Sequence, residues 1–205
     1  MHQNKFEDFT VKYQPETLDD FFNSEQAMSI IRKLTAANKL PHNILLWGPI
    51  GSGKTTVAKI LAKRNGGQIH EFGTFSYRNS RLEEIFYKKP RATLCGDRLY
   101  IWDEAHTMSP SIQGGLLKLL EFPHNHIYNY VLTSKPEKLN QALVDRCDVF
   151  HLTLFNEETM GKFISHITSK EDIELLNNEV DEIIDLAEGS PRDALKIMQR
   201  IIHLK

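Results

Sequence analysis

The stretch "WGPIGSGKTT", residues 47–56, decides how the rest of the chain is interpreted. It follows the apolar run "ILLW" (44–47), which has the composition of a buried strand, and precedes "VAKILAKR" (57–64), which has that of a helix. A strand, a glycine-rich turn and a helix in this order predict a phosphate-binding loop of the form G-x-x-x-x-G-K-[ST]. The motif positions are Gly48, Gly53, Lys54 and Thr55.

Each part of this loop has a predicted role toward a nucleotide. Backbone N–H groups surround the phosphates, the Lys54 ammonium reaches the β and γ oxygens, and the Thr55 hydroxyl binds Mg²⁺. The alternative is a chance glycine-rich turn, which the flanking strand and helix disfavour. The predicted nucleotide-binding residues of this segment are Gly48, Pro49, Gly51, Ser52, Gly53, Lys54, Thr55 and Thr56.

A second apolar run, "LYIWDEAH" (99–106), ends in two acids. Asp103 is predicted to hold Mg²⁺, and Glu104 to orient and deprotonate the attacking water. Two acids after a strand are common, so this prediction depends on their occurring together with the phosphate loop. No guanine-reading N-K-x-D pattern is present, which favours ATP. The sequence therefore predicts ATP binding and hydrolysis.

Short apolar runs alternate with helical patterns along the chain, which predicts an α/β fold with a parallel sheet of five buried strands. The remaining runs are "QIHEF" (68–72), "RLYIWD" (98–103), "IYNYVLT" (127–133) and "DVFHLTL" (148–154). After Phe155 only helical patterns remain, near 156–168, 178–188 and 191–204. We therefore predict a nucleotide-binding α/β domain in residues 1–155 and a small helical domain in residues 156–205.

Composition excludes several classes of protein. With 40% apolar and 25% charged residues, the 205-residue chain is expected to fold rather than to be disordered. It has no apolar run near the ~20 residues of a membrane span, and no signal-peptide core, so we expect a cytoplasmic protein without membrane contact. The net charge is −2, so any nucleic-acid contact requires a local basic patch. Cys95 and Cys147 lack the paired spacing of a zinc site.

Beyond the phosphate loop and the acidic pair, residues 10–202 resemble AAA+ ATPases, and among them replicative clamp-loader subunits: bacterial DNA polymerase III gamma/tau, phage clamp loaders and replication factor C small subunits. The resemblance implies a P-loop AAA+ core followed by a three-helix lid, with ATP and Mg²⁺ as cofactors. It rests on "KYQPETLDDFF" (12–22), "GGLLKLLEFP" (114–123), "YVLTSKPEKL" (130–139), "VDRC" (144–147) and "EGSPRDALK" (188–196).

The resemblance implies two contacts with the γ-phosphate. A polar side chain after the fourth strand senses it, a role that falls to Ser134, with Thr133 as the alternative. An arginine of the lid touches the γ-phosphate bound by its own chain, which implicates Arg192. The alternative for Arg192 is an ordinary surface arginine near the start of a helix.

"VDRC" resembles the S-R-C motif of clamp loaders, whose arginine projects into the ATP site of the neighbouring subunit. Arg146 would then be an arginine finger in trans and the fourth catalytic residue, beside Lys54, Glu104 and Ser134. The alternative is a helix-end arginine that caps carbonyls or pairs with Asp145 or Asp148.

Three departures from the family qualify the resemblance. Gln14 stands where the family has an arginine near the adenine, so that contact is not carried over. The four-cysteine zinc insertion of bacterial gamma/tau is missing, so we expect no zinc and a divergent, phage-like member acting in a bacterial host. The third, collar domain is expected to be absent from this chain, which leaves open a truncated chain or a short form that relies on partners.

The expected function is that of an ATPase subunit of a clamp loader, which opens a sliding clamp and places it on primer-template DNA at the replication fork. Its partners would be other loader subunits in a homo- or hetero-pentamer, the clamp and the DNA. Another AAA+ ATPase that remodels DNA or protein complexes, and a non-hydrolysing scaffold subunit, are the alternatives. Phosphate contacts are predicted for Arg78 and Arg81, near Lys88, Lys89 and Arg91; a solvated charged face is the alternative.

Overall fold

The computed structural model describes residues 8–22, 25–64, 68–78, 97–121 and 126–203. The chain divides into two compact units. A helical unit contains the described parts of Met1–Glu25, Pro49–Gly53 and Thr153–Lys205. A sheet unit contains those of Gln26–Gly48 and Lys54–Leu152. The central residues of the phosphate loop thus group with the helical unit, and the predicted boundary after residue 155 stays a prediction.

The described residues form one sheet of five parallel strands, as predicted, in the order β2-β3-β4-β1-β5. The strands are β1 (Asn43–Trp47), β2 (Gln68–Phe72), β3 (Arg98–Trp102), β4 (Ile127–Thr133) and β5 (Asp148–His151). Leu45 at the centre of β1 lies opposite Val131 of β4 and Val149 of β5. This order places the first strand in the interior of the sheet, where its apolar residues are covered on both faces.

The prediction that all five strands are buried is wrong for β2 and β5. These are the two outer strands, and most of their side chains are exposed or half-buried. Ile69 and Val149 retain 41% and 47% of their accessible surface. An outer strand has a neighbour on one side only, and polar residues such as Gln68 and Asp148 suit that position.

The described helices are α1 (Phe9–Lys12), α2 (Glu25–Ala36), α3 (Lys54–Arg64), α4 (Pro110–Glu121), α5 (Gln141–Val144), α6 (Glu157–Glu171), α7 (Asn177–Ala187) and α8 (Pro191–His203). In the sheet unit, α4 packs through Leu116 and Leu120 into an apolar cluster with Tyr100, Trp102 and Val131. Burial of these large side chains is the main source of stability for this side of the sheet. None of the helices described has the length and hydropathy needed to span a membrane.

The helical unit has its own core, formed chiefly by α6, α7 and α8, and thus contains the predicted lid helices. Phe163 of α6, Ile183 of α7 and Met198 of α8 are buried in this cluster together with Phe9 of α1. Asn156 caps α6 by accepting a hydrogen bond from the Thr159 N–H at 2.8 Å. The lid helices begin within one residue of their predicted starts, whereas α6 continues to Glu171.

A chain of buried polar side chains crosses the middle of the sheet. The amide of Asn129 donates to Asn43 Oδ1 at 3.1 Å, and Trp102 Nε1 donates to Asn129 Oδ1 at 3.3 Å. Asn43 Nδ2 in turn donates to the carbonyls of Leu120, at 3.0 Å, and Arg146, at 3.2 Å. These side chains join β1, β3 and β4 to the ends of α4 and α5, which fixes the backbone at Arg146 relative to the sheet.

Candidate nucleotide site

The predicted site residues of the sheet unit follow the carboxyl ends of its interior strands. Gly48 follows β1, Asp103 follows β3 and Ser134 follows β4. Because the strands are parallel, these ends share one edge of the sheet, which is where open α/β folds bind ligands. The structure therefore brings together the start of the phosphate loop, the acidic pair and the predicted γ-phosphate sensor.

The backbone of the phosphate loop requires its glycines. Gly48, Gly51 and Gly53 have φ angles of 152°, 88° and 89°, which side-chain-bearing residues rarely adopt. The Gly48 N–H donates to the Thr133 carbonyl at 3.2 Å, which joins the loop to the end of β4. Within the helical unit, a Cβ at Gly51 would lie 2.6 Å from Ser190 Oγ. The loop thus passes directly against the residue that precedes α8.

Lys54 and Thr55 open α3, immediately after the loop. Lys54 is only 6% exposed, and its ammonium donates to the Gly48 carbonyl at 2.9 Å. The Thr55 hydroxyl donates to Asp103 Oδ2 at 3.1 Å, which connects the loop helix to the end of β3. Thr55 therefore lies beside the acidic pair, and Lys54 lies against the start of the loop.

The Asp103 carboxylate is partly buried and firmly held. Its Oδ1 accepts the Glu104 N–H at 2.9 Å, while Oδ2 accepts the Thr55 hydroxyl. Burial raises the pKa of Asp103 above its ordinary value, although these two hydrogen bonds lower it. A hydroxyl and a carboxylate side by side suit Mg²⁺, which prefers oxygen ligands, and a bound cation would favour the charged carboxylate that burial disfavours. The residues present therefore fit Mg²⁺.

Glu104 has a left-handed backbone conformation, with φ at 50° and ψ at 46°. Its Oε2 accepts the Ser134 hydroxyl at 3.2 Å and lies 3.1 Å from His106 Nδ1. Thr133 is fully buried, and its Oγ accepts the Lys135 N–H at 3.0 Å. Of the two alternatives for the sensor, Ser134 is thus the one whose hydroxyl contacts Glu104.

Arg146 lies at the opposite edge of the sheet from the acidic pair. It precedes β5, and its carbonyl accepts a hydrogen bond from Asn43, the first residue of β1. Five residues of strand separate Asn43 from Gly48, a distance of about 16 Å at ~3.3 Å per residue. The side chain of Arg146 therefore does not reach the site that its own sheet unit forms.

The guanidinium of Arg146 has two partners in its own chain. Nη1 donates to the Ala142 carbonyl at 2.8 Å, and Nη2 donates to Glu121 Oε1 at 2.7 Å. The carbonyl contact matches the capping part of the alternative reading, whereas the ion pair is made with Glu121 rather than with Asp145 or Asp148. The two side chains of this pair are 36% and 34% exposed. The adjacent Cys147 is half-buried and packs against the core cluster of the sheet unit, and burial raises the pKa of its thiol to about 12.

Arg192 is the second residue of α8, in the helical unit. Ser190 precedes the helix and accepts the Asp193 N–H at 3.3 Å, which is the geometry of an N-cap. Because Ser190 also lies against Gly51, the start of α8 adjoins the phosphate loop within this unit. The structure thus places Arg192 one turn or less from that contact.

The structure does not describe the predicted DNA contacts at side-chain level. Arg78 ends the short helical turn Ser76–Arg78, and its side chain falls outside the description. Arg81, Lys88, Lys89 and Arg91 lie outside the described residues altogether. The DNA-contact assignments therefore remain predictions.

Comparison with known proteins identifies the family to which this phosphate loop and acidic pair belong. A family model described as "ATPase family associated with various cellular activities (AAA)" matches residues 44–153, and one described as "Rad17 P-loop domain" matches residues 1–84. The chain is 29% identical over 204 residues to replication factor C subunit 3 of Blastobotrys adeninivorans, and covers 58% of that protein. It is 26% identical over 215 residues to DNA polymerase III subunit gamma/tau of Mycoplasma pneumoniae, and covers 32% of it.

The fold also matches solved structures. The Holliday junction branch migration motor RuvB of Thermotoga maritima superposes with a TM-score of 0.74 at 20% identity, over 93% of this chain and 65% of that one. At this identity the match supports the fold alone. The matched relatives above cover 92% and 93% of this chain but are themselves longer, so this chain spans less than two thirds of their length.

Proposed function

Since the chain belongs to the family of ATPases associated with various cellular activities, we propose that it is an ATPase subunit of a DNA-replication clamp loader. In this proposal, ATP binding and hydrolysis serve to open a sliding clamp and place it on primer-template DNA. The relatives named replication factor C subunit 3 and DNA polymerase III subunit gamma/tau support the assignment. A different AAA+ remodelling ATPase, or a scaffold subunit that binds nucleotide without hydrolysis, are the alternatives.

The residues at the carboxyl edge of the sheet would divide the chemistry among them. Lys54 would exchange its contact with the Gly48 carbonyl for the β and γ oxygens of ATP. Thr55 and Asp103 would hold Mg²⁺, which when bound offsets the negative charge of the phosphates. Glu104 would accept a proton from the attacking water. Each assignment follows from residue chemistry and from the contacts among these side chains.

The observation that carries the shared-site part of the proposal is the position of Arg146. Its carbonyl bonds to Asn43 at the start of β1, about 16 Å along that strand from Gly48 at ~3.3 Å per residue, at the edge of the sheet opposite the phosphate loop. An arginine there is too distant to serve its own nucleotide, yet about a third of its side chain is exposed. We therefore infer that Arg146 serves the ATP site of a neighbouring subunit, so that hydrolysis depends on assembly.

The helical unit would report the state of the nucleotide. Arg192 is the second residue of α8, the residue before that helix, Ser190, lies against the phosphate loop, and the Arg192 guanidinium would contact the γ-phosphate. Movement of a helix that holds a phosphate-binding arginine is a known means of coupling nucleotide state to conformation. Partners would be further loader subunits in a homo- or hetero-pentamer, the clamp and DNA, all in the cytoplasm. The relatives cited are from a fungus and a bacterium, so they lend no support to a phage origin.

The test is ATP turnover per chain measured against protein concentration, with and without primer-template DNA. We expect turnover to rise with both and to fall more than about 100-fold in Glu104→Gln, with ATP binding retained. Glu137→Gln, an exposed acid in the turn Pro136–Lys138, is the matched control and should leave turnover unchanged.

Each alternative predicts a different result in the same experiment. A scaffold subunit would bind ATP without turnover at any concentration. A remodelling ATPase of another kind would show turnover that rises with concentration but ignores primer-template DNA and clamp. Turnover that is independent of concentration would contradict the shared site and leave only the hydrolytic residues of one chain.

A further inference from the structure

The side chain of Arg146 is folded back onto its own chain. Its Nη1 donates at 2.8 Å to the carbonyl of Ala142, four residues earlier in α5, and its Nη2 donates at 2.7 Å to Glu121 Oε1. Glu121 is the last residue of α4. Both terminal nitrogens of the guanidinium therefore contact the chain to which Arg146 belongs, at the ends of two of its helices.

A buried amide aligns the two partners of this ion pair. Asn43 is 8% exposed, and its Nδ2 donates to the carbonyl of Leu120, at 3.0 Å, and to that of Arg146, at 3.2 Å. Leu120 directly precedes Glu121, so one side chain fixes the backbone on both sides of the ion pair. The contact is therefore supported by the interior of the sheet unit, although its two side chains are about one third exposed.

The acid that pairs with Arg146 is not the nearest one in the sequence. Asp145 is adjacent to Arg146, yet its Oδ1 accepts the Gln141 side-chain amide at 2.8 Å. Glu121 ends a helix, where the partial negative charge of the helix terminus disfavours a carboxylate unless a cation lies beside it. The Arg146 guanidinium supplies that cation, so the local charges favour the paired state.

This ion pair opposes the action in trans that is proposed for Arg146. A guanidinium binds phosphate oxygens with the same N–H groups that it directs at a carboxylate. The two nitrogens that would form such a fork on a neighbour's γ-phosphate already have partners, Ala142 and Glu121. Because the carboxylate and the phosphate are both anions, they compete for one cation, and the paired state withholds the finger.

We propose that Glu121 is an internal counter-ion that holds Arg146 away from the neighbouring subunit's ATP site until the γ-phosphate bound there replaces the Glu121 carboxylate. The inference rests on the proposed shared site and adds to it a means of regulation. ADP has no γ-phosphate, so the ion pair re-forms after hydrolysis. Contact between subunits through Arg146 is then favoured by ATP and not by ADP.

The test is the concentration dependence of ATP turnover in Glu121→Gln, which keeps the shape of the side chain and removes its charge. An ion pair as exposed as this one contributes at most a factor of about five to an equilibrium constant. We expect the protein concentration at half-maximal turnover to fall about threefold, with the maximal turnover changed less than about twofold. Tm should stay within about 4 °C of the wild type, so unfolding does not account for the shift.

Glu158→Gln is the matched control. Glu158 forms an exposed ion pair with Lys162 in α6, at 2.6 Å between Oε1 and Nζ, and the substitution changes the net charge by the same amount. It should leave the concentration dependence of turnover unchanged. A shift of the same size in Glu158→Gln would show that net charge, rather than the release of Arg146, promotes assembly, and would overturn the proposal.

A mixture of variants tests whether Glu121 acts through the arginine of its own chain. Glu104→Gln chains supply Arg146 to their neighbours, whereas Arg146→Ala chains supply only the hydrolytic site. At a concentration below half-maximal turnover, Glu121→Gln added to the Glu104→Gln chains should raise the turnover of the mixture about threefold. Added instead to the Arg146→Ala chains it should have no effect, because those chains have no Arg146 to release.

The remaining outcomes are distinct. Lower turnover of Glu121→Gln at every concentration would mean that the carboxylate orients the finger, and an unchanged concentration dependence would mean that the ion pair is structural only; either result overturns the proposal and leaves the shared site intact. An equal effect of Glu121→Gln in both chains of the mixture also overturns it. Wild-type turnover that does not depend on concentration would instead remove the shared site, and the proposal with it.

Discussion

Replacement of Arg146 by alanine separates a finger that acts in trans from an arginine that stabilises its own chain. Its guanidinium makes one hydrogen bond to the Ala142 carbonyl and one ion pair with Glu121. Arg146→Ala should impair the protein under either role, but each role predicts that a different measured property declines. The structural role affects the free energy of unfolding, whereas the finger affects the rate of hydrolysis in an assembly.

The two losses can be estimated from the geometry. A hydrogen bond contributes about 1 kcal/mol net, and an ion pair with about a third of each side chain exposed at most about 1 kcal/mol. Loss of both should lower the free energy of unfolding by no more than about 2 kcal/mol, and Tm by at most about 8 °C at this chain length. An arginine finger contributes a factor of about 10³ or more to turnover, equivalent to about 4 kcal/mol.

The assay combines thermal unfolding with ATP turnover of mixed variants. Arg146→Ala keeps an intact acidic pair but lacks the finger, while Glu104→Gln lacks the catalytic carboxylate but keeps the finger. Each variant alone should be inactive. In a mixture, the finger of Glu104→Gln subunits would complete the sites of Arg146→Ala subunits, and turnover should recover in part.

Arg146 does not act in trans if Arg146→Ala keeps wild-type turnover at concentrations where the chain associates, or if the mixture shows no recovery although mixed assemblies form. Arg64→Ala is the matched control, since Arg64 is an exposed arginine at the end of α3. It should change neither turnover nor complementation. A Tm loss well beyond 8 °C in Arg146→Ala would show that the estimate of its structural role is too small.

Three further substitutions test the site and its support. Burial raises the pKa of Asp103 in the folded chain, so its carboxyl stabilises the fold below the unfolded pKa of about 3.9, and this stabilisation is lost as pH rises through the folded pKa. In thermal scans without nucleotide, Asp103→Asn should therefore raise Tm at pH 7, and this gain should disappear at low pH. The same substitution should remove Mg²⁺-dependent ATP binding. The Gln113 side chain bonds three backbone groups, so Gln113→Leu should lower Tm by roughly 2–10 °C in calorimetry. Gly51→Ala should cost more than about 1 kcal/mol in urea unfolding, because of its positive φ and the clash with Ser190, whereas Gly114→Ala, where a Cβ meets nothing within 4 Å, should not destabilise.

The fold was predictable because its signals are local. Glycines, an apolar run and a helix-forming segment define the phosphate loop within about twenty residues, as the motif requires. The five strands lie where the apolar runs predict them, and the lid helices begin within one residue of their expected starts. What sequence patterns did not provide was the exposure of β2 and β5, because an outer position depends on strand order rather than on composition.

The contacts of the site were less predictable, because they join residues that are distant in sequence. Glu121 pairs with Arg146 across 25 residues, and no local pattern relates the two. His106 contacts Glu104 only because a short turn with a left-handed residue follows β3. Ser134 could be assigned by resemblance, yet its contact with Glu104 depends on β3 and β4 being neighbours.

The polar side chains across the middle of the sheet, Asn43, Asn129 and Trp102, fix the register of three otherwise similar strands. Strands β1, β3 and β4 are almost wholly apolar, and sliding one past another by a residue would bury much the same surface. Only in the observed alignment does Asn129 lie opposite Asn43, to which its amide donates, and accept a hydrogen bond from the Trp102 indole. A slipped pairing would leave amide and indole groups without partners in the interior, at about 1–3 kcal/mol for each group. The chain thus encodes the correct alignment of its sheet in three side chains that bind no nucleotide.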